Sequence, residues 1–264
     1  MNWITSSNTI IFDSEFNEKL DINLISNYQI MIFSNCILNE NLFEYYLGYL
    51  NDSEYIEDNI YKFEILPRKK NKFNQSVSDL PSSLIYIFFG FEFNQDVSKL
   101  PSTITNLIFG NNFNQDVSNL PPSLTHLTFI SHFNKDVSKL PSSLIHLFFG
   151  AVFNQDVSVL PPTLIYLTFG FYFNRDVSFL PPTITHLTFI SDFDQDVSNL
   201  PPSLTHLSLS LEFNQDISKL PPTITHLTLG CKFNQQCVIP PNVKYLQLSC
   251  NNSHIIDSLP NSVI

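Results

Sequence analysis

The stretch FNQDVSNLPPSLTHLTF, residues 113–129, decides the architecture, because near-copies of it fill most of the 264-residue chain. Phe73, Phe93, Phe113, Phe133, Phe153, Phe173, Phe193, Phe213 and Phe233 recur every 20 residues, most of them followed by Asn-Gln or a close substitute. A second register keeps the same period, with Leu127, Leu147, Leu167, Leu187, Leu207 and Leu227 each two residues before a Phe or Leu. A strict internal period of this length is the mark of a solenoid, in which each unit buries its apolar face only against its neighbours.

The chemistry of one unit gives its shape. In HLTF the apolar residues alternate with polar ones, so Leu127 and Phe129 point inwards while His126 and Thr128 face the other way. The LPP segments at 120–122, 160–162, 180–182, 200–202 and 220–222 exclude helix, since proline lacks the N–H donor and forces its predecessor into extended geometry. Each unit therefore reads as strand, bend and extended return. The fold class expected is mainly β: a curved, parallel β-solenoid, leucine-rich-repeat-like, with 20-residue turns stacked about 4.8 Å apart. Two phenylalanine ladders, the Phe93 and Phe109 series, would run through its core, each ring burying on the order of 150–250 Å².

The ends depart from the grammar. IIFDSEFNEKLD followed by YQIMIF reads as one decayed repeat, with Phe12 and Phe33 as strand residues and Phe16-Asn17 standing for Phe-Asn. Residues 36–72 break the period, and NLFEYYLGYL reads as a short helix covering the first turn. Near the other end Gln236 replaces the Asp, and Asn252 stands where Phe is expected. The divisions drawn are an irregular N-terminal cap over 1–72, the repeat solenoid over 73–249 and a degenerate turn over 250–264. A further reading, a decayed paralogue without a present role, rests on the stop in mid-repeat at LPNSVI.

Composition narrows the function classes. With 13 basic against 24 acidic residues the formal charge is −11, so no basic stripe can follow a phosphate backbone; neither nucleic acid nor membrane is an expected partner. No apolar run approaches the roughly 20 residues needed to span a bilayer, and the N-terminus lacks the pattern of a signal peptide, so a soluble cytoplasmic protein is expected. Cys36, Cys231, Cys237 and Cys250 match no common zinc spacing and read as reduced thiols filling apolar positions.

The units FNQ…LPxSLxxLxFG resemble FNIP repeats, a branch of the leucine-rich repeats found in amoebae and in large DNA viruses that infect them. The resemblance covers residues 73–249, with echoes at 10–33, and implies a leucine-rich-repeat fold and, for a viral chain, the cytoplasm of the host. Members often carry an N-terminal F-box, which implies substrate capture for a ubiquitin ligase; residues 1–72 show no clear F-box.

Three columns could carry function. The outward strand column holds Tyr86, Asn106, His126, His146, Tyr166, His186, His206, His226 and Tyr245. Five histidines on one face raise metal chelation, but no carboxylate accompanies them, and a solvated polar strand face is the reading preferred. The Asp96 to Asp216 column could bind Ca²⁺, yet FNQDVS lacks the glycines that let carbonyl oxygens approach an ion, so each Asp is expected to accept from backbone N–H groups of its own turn. The Asn after each Phe is read as an internal ladder satisfying buried backbone groups. Identical residues on every turn supply no unique acid, base or nucleophile, so no enzyme and no cofactor is expected.

What varies between units addresses partners. The paired residues between strand and Phe form one rim, and Tyr86, Phe88, Phe148, Tyr166, Phe171 and Tyr172 would make two aromatic patches, one on the first turn and one across the fourth and fifth. Exposed aromatics of this kind mark protein interfaces. The function expected is therefore non-enzymatic recognition of a protein partner through the strand face and rim, with His126, His146, His186, His206 and His226 as a pH-sensitive surround. The alternatives are a substrate adaptor of a ubiquitin ligase, with ligase components as partners, and a metal-binding module on the His or Asp ladder.

Overall fold

The computed structural model describes residues 3–5, 8–12, 16–33, 72–249 and 259. Among the described residues twelve strands form a single sheet in sequence order: β1 (Trp3–Thr5), β2 (Thr9–Phe12), β3 (Ile30–Phe33), β4 (Tyr86–Phe88), β5 (Asn106–Phe109), β6 (His126–Phe129), β7 (His146–Phe149), β8 (Tyr166–Phe169), β9 (His186–Phe189), β10 (His206–Ser208), β11 (His226–Leu229) and β12 (Tyr245–Leu248). From β2 onwards every pairing is parallel and in register, so Leu127 sits between Leu107 and Leu147, one unit away on each side. The parallel β-solenoid with 20-residue turns is thus the observed fold. Its first step differs: β1 pairs antiparallel with β2. Phe12 and Phe33 are partners on β2 and β3, and a one-turn helix, α1 (Ile22–Ile25), lies between those strands. The helix read in NLFEYYLGYL falls outside the described residues, and among the described residues no helix is long and apolar enough to cross a membrane.

One continuous apolar core runs along the axis. Within a turn the strand-end ring stacks on the ring of the following FNQ: Phe109 on Phe113 at 3.6 Å and Phe149 on Phe153 at 3.7 Å between centroids. Along each ladder the spacing is wider, 5.7 Å from Phe149 to Phe169 and 6.1 Å from Phe153 to Phe173. These rings do the work that a helix layer does in other solenoids.

A chain so irregular outside its strands must still satisfy its backbone, and it does so from turn to turn. The Asn94 side-chain oxygen accepts the Asn114 backbone N–H at 2.9 Å, and the same bond joins Asn154 to Asn174 at 3.1 Å. The Asn ladder is therefore real, but it runs along an exposed to half-buried side instead of the interior. The residue after each Leu-Pro pair and its follower explains its Ser or Thr: Ser143 Oγ donates to the Leu124 carbonyl at 2.6 Å and Thr163 Oγ1 to the Leu144 carbonyl at 2.6 Å. Each Asp behaves as an Asx turn predicts, the Asp116 carboxylate accepting the Ser118 N–H at 2.9 Å and its hydroxyl at 2.7 Å.

Where a strand turns outwards, successive units approach closely. A methyl group on Gly170 would meet the Gly150 carbonyl, and one on Gly110 the carbonyl of Gly90. Among the described residues no glycine has positive φ, so glycine serves here for space alone. At the same point Ile130 and Ile190 use another bend, in which their N–H groups continue the ladder to Phe109 and Phe169 at 3.0 and 3.1 Å. Gly170→Ala must shift this bend or adopt the isoleucine form, and it is expected to lower stability by about 1–3 kcal/mol in urea unfolding. An unchanged midpoint would mean that the close approach relaxes freely.

The cysteine reading needs a correction. Cys237 packs half-buried against the core, but Cys231 is exposed, its Sγ 3.3 Å from the Ser249 carbonyl. Its place on the rim, where successive units carry unrelated residues, explains the exposure. Cys36 and Cys250 lie outside the described residues.

Candidate recognition surface

The outward strand column forms a stack of rings. His126 and His146 lie 4.2 Å apart, His146 and Tyr166 4.2 Å, His186 and His206 4.1 Å, and His206 and His226 4.0 Å; Tyr166 and His186 are tilted at 4.6 Å. Parallel pairing in register places these rings at the strand repeat, and planar side chains fill that spacing by stacking. A threonine on the preceding position holds several of them: Thr125 Oγ1 is 2.8 Å from His126 Nδ1, and Thr205 Oγ1 is 2.8 Å from His206 Nδ1. Thr125 and Thr205 also donate to the carbonyls of Thr105 and Thr185 at 3.1 Å. A hydroxyl has one hydrogen, so with that hydrogen on the carbonyl, Nδ1–H donates to the threonine and Nε2 is the nitrogen left to accept.

Stacking also buries the rings more than a solvated strand face would. Burial and then the charges of neighbouring histidines push His146 down to about 3 and His186 to about 4, while burial and then His226 push His206 to about 4. These rings are neutral at pH 7. The face is also less open than strand alternation alone predicts: Thr128 and Thr168 are each 6% exposed. Both flank Phe148 in the ladder, and the larger ring shades them. Asn106, between Tyr86 and His126, is buried for the same reason.

Tyr86 and Phe88 lie half-buried on β4; Phe148 on β7 and Tyr166 on β8 lie three to four strands further along. Phe171 and Tyr172 follow β8 on the rim, 37% and 57% exposed, and the Tyr172 N–H donates to the Ala151 carbonyl at 2.9 Å. Beyond β8 the second outward column shrinks to Thr188, Ser208 and Thr228, which with Ser210 and Gln247 line a shallow polar cleft. The surface thus changes from aromatic to hydroxyl-rich along the axis.

Among the described residues no three His, Cys, Asp or Glu side chains converge to hold a metal ion. Stacked imidazoles present their Nε2 atoms side by side, a geometry that does not close around one ion.

A family model of the FNIP repeat matches residues 93–132, 116–152, 133–172, 153–192, 173–212, 193–232 and 233–264, which together cover more than half of the chain. The chain belongs to the FNIP repeat family. Among solved structures, this FNIP repeat chain is similar to CroV588, described as a novel circular LRR protein, at 29% identity and a TM-score of 0.66, covering 100% of this chain and 44% of that one. It spans less than half the length of CroV588. A weaker likeness is to YopM from Yersinia enterocolitica WA-314, at 22% identity and a TM-score of 0.35, covering 70% of this chain and 51% of that one. No curated protein matches the chain significantly. Residues 1–72, where an N-terminal F-box would lie, are described only at 3–5, 8–12, 16–33 and 72.

Proposed function

We propose that this FNIP repeat solenoid is a non-enzymatic recognition module that holds a protein partner on its outward strand face and adjoining rim. The observation that carries the reading is the exposure of Phe171 and Tyr172, two large aromatic residues consecutive on the rim just past β8, the strand whose Tyr166 stacks between His146 and His186. Aromatic anchors on a rigid, internally bonded surface lose little side-chain entropy when a partner covers them. Phe148 and Tyr166 extend the anchor patch, while His126, His146, His186, His206 and His226 form its polar surround, and Tyr86 and Phe88 a second contact on β4. We place this activity in the cytoplasm, where free thiols such as Cys231 and Cys237 persist.

The test is affinity purification in parallel with wild type and Phe171→Ser/Tyr172→Ser, with circular dichroism showing that both fold. Both side chains are exposed, so the urea midpoint should change by less than about 0.5 kcal/mol equivalent. A partner retained by wild type should be depleted at least about tenfold in the variant. Equal recovery by both proteins would remove the rim from the binding site.

A further inference from the structure

The residue between the Ser and the Leu of each VSxL segment sits at the corner opposite the rim. In most units it is Asp79, Lys99, Asn119, Lys139, Asn199 or Lys219, which water solvates. Two consecutive units break that pattern with Val159 and Phe179, which are 61% and 69% exposed. They lie one turn apart, so their side chains form one apolar ridge. Neither belongs to the strand face or the rim.

The carboxylates beside them differ from the rest of their column as well. Each Asp of the repeated Asp-Val-Ser or Asp-Ile-Ser segment, from Asp96 to Asp216 at 20-residue intervals, is held below the usual carboxylate range chiefly by the N–H and hydroxyl of the Ser two residues on. Lys99 adds its attraction at Asp96, Lys139 at Asp116 and Asp136, and Lys219 at Asp196 and Asp216. Among the described residues no lysine adds such attraction at Asp156 or Asp176. The cause is the same substitution, since the corner that elsewhere supplies lysine supplies Val159 and Phe179 here. Arg175, the single cation of residues 150–189, reaches back instead, its Nε donating to the Asn154 carbonyl at 3.0 Å. The ridge therefore combines exposed apolar area with two carboxylates that have no lysine beside them among the described residues. Their oxygens are already oriented by Ser158 and Ser178 at 2.6–2.9 Å.

We propose that Val159 and Phe179, together with Asp156 and Asp176, form a second docking surface for a basic, apolar segment of a protein partner. An aliphatic or aromatic side chain sits on the Val159–Phe179 ridge, and a lysine or arginine pairs with each carboxylate. Successive carboxylates stand one strand spacing apart, about 4.8 Å, so a segment crossing the turns meets both. This surface stands apart from the strand face and does not depend on it.

The test uses the full chain and three labelled peptides of about 12 residues, alternating Lys-Leu, Lys-Ser or Glu-Leu, read by fluorescence anisotropy at about 0.15 M salt. The Lys-Leu peptide should bind at least about tenfold tighter than the other two. Val159→Ser/Phe179→Ser and Asp156→Asn/Asp176→Asn should each weaken it about tenfold, while Asp96→Asn/Asp216→Asn, which changes net charge equally, should change it less than about twofold. Asparagine still accepts from the following serine, so the turns stay folded. The proposal is overturned if the control variant loses as much affinity, which would mark general attraction to an acidic chain. It is equally overturned if Lys-Ser or Glu-Leu binds as tightly as Lys-Leu, or if both site variants bind like wild type. None of these results touches the Phe171/Tyr172 experiment, which reads a different surface.

Discussion

Phe149→Ala is expected to cost about 3–5 kcal/mol of stability, among the largest effects of any single substitution in the solenoid. Phe149 has no exposed surface, and its ring lies 3.7 Å from Phe153, 5.9 Å from Phe129 and 5.7 Å from Phe169. The vacancy would open between three turns whose backbones are tied by ladder bonds, so collapse around it is limited. Because each unit is stabilised by its two neighbours, the loss falls on the interfaces at both sides. Urea unfolding followed by circular dichroism should show a lower midpoint and, where the two halves separate, a broadened transition. A cost below about 1 kcal/mol would mean that the ring stack is not what joins the turns.

The second large effect is expected from acid. His146, His186 and His206 have folded values of about 3, about 4 and about 4, against about 6.5 for an unperturbed imidazole. Between pH 6.5 and about 4 the unfolded chain binds more protons than the folded one, so stability rises with pH across that window and is lost as pH falls through it. The Asp column acts in the same direction lower down: its depressed carboxylates stabilise the fold above their ordinary value, and that contribution is lost as pH falls below it. With solvent screening of rings that are only partly covered, each histidine contributes on the order of 1 kcal/mol of loss at pH 5. The urea midpoint at pH 5 should lie clearly below that at pH 7, and His146→Asn/His186→Asn/His206→Asn should flatten the difference. Asparagine suits the column, since Asn106 already occupies it. Equal midpoints for wild type at the two pH values would show that the rings are solvated and not held as a stack.

These two expectations come from parts of the molecule that differ in how openly the sequence displays them. The phenylalanine ladders were legible because their period is a property of one chain read against itself: Phe149 and Phe153 recur with their neighbours at a fixed offset, and Leu-Pro leaves no helix to hide them. The half-burial of His146 and the burial of Thr128 were not legible from alternation, which assigns a face but not the size of what stands one turn away. Thr128 is covered because Phe148 lies 20 residues on, and that relation becomes visible only once register is known. Cys231 was misplaced for a related reason: its residue type suggests the interior, while its position in the unit belongs to the rim. Val159 and Phe179 could have been found from the sequence. They interrupt a column of lysine, aspartate and asparagine, and that interruption is visible in the chain read against itself.

The ladders also bear on how such a chain can change length. Asn154 receives its neighbour's N–H 20 residues on, Thr163 reaches the carbonyl 19 residues back, and the strands pair at 20. Donors and acceptors are thus supplied by whichever unit happens to be adjacent. Duplication or loss of one whole unit by slippage between near-identical coding segments leaves each of these bonds with a partner, whereas a change of one residue shifts a strand's faces. Such a lineage can lengthen or shorten its scaffold in single steps while the marked pair of turns bearing Val159, Phe171, Tyr172 and Phe179 travels as one cassette.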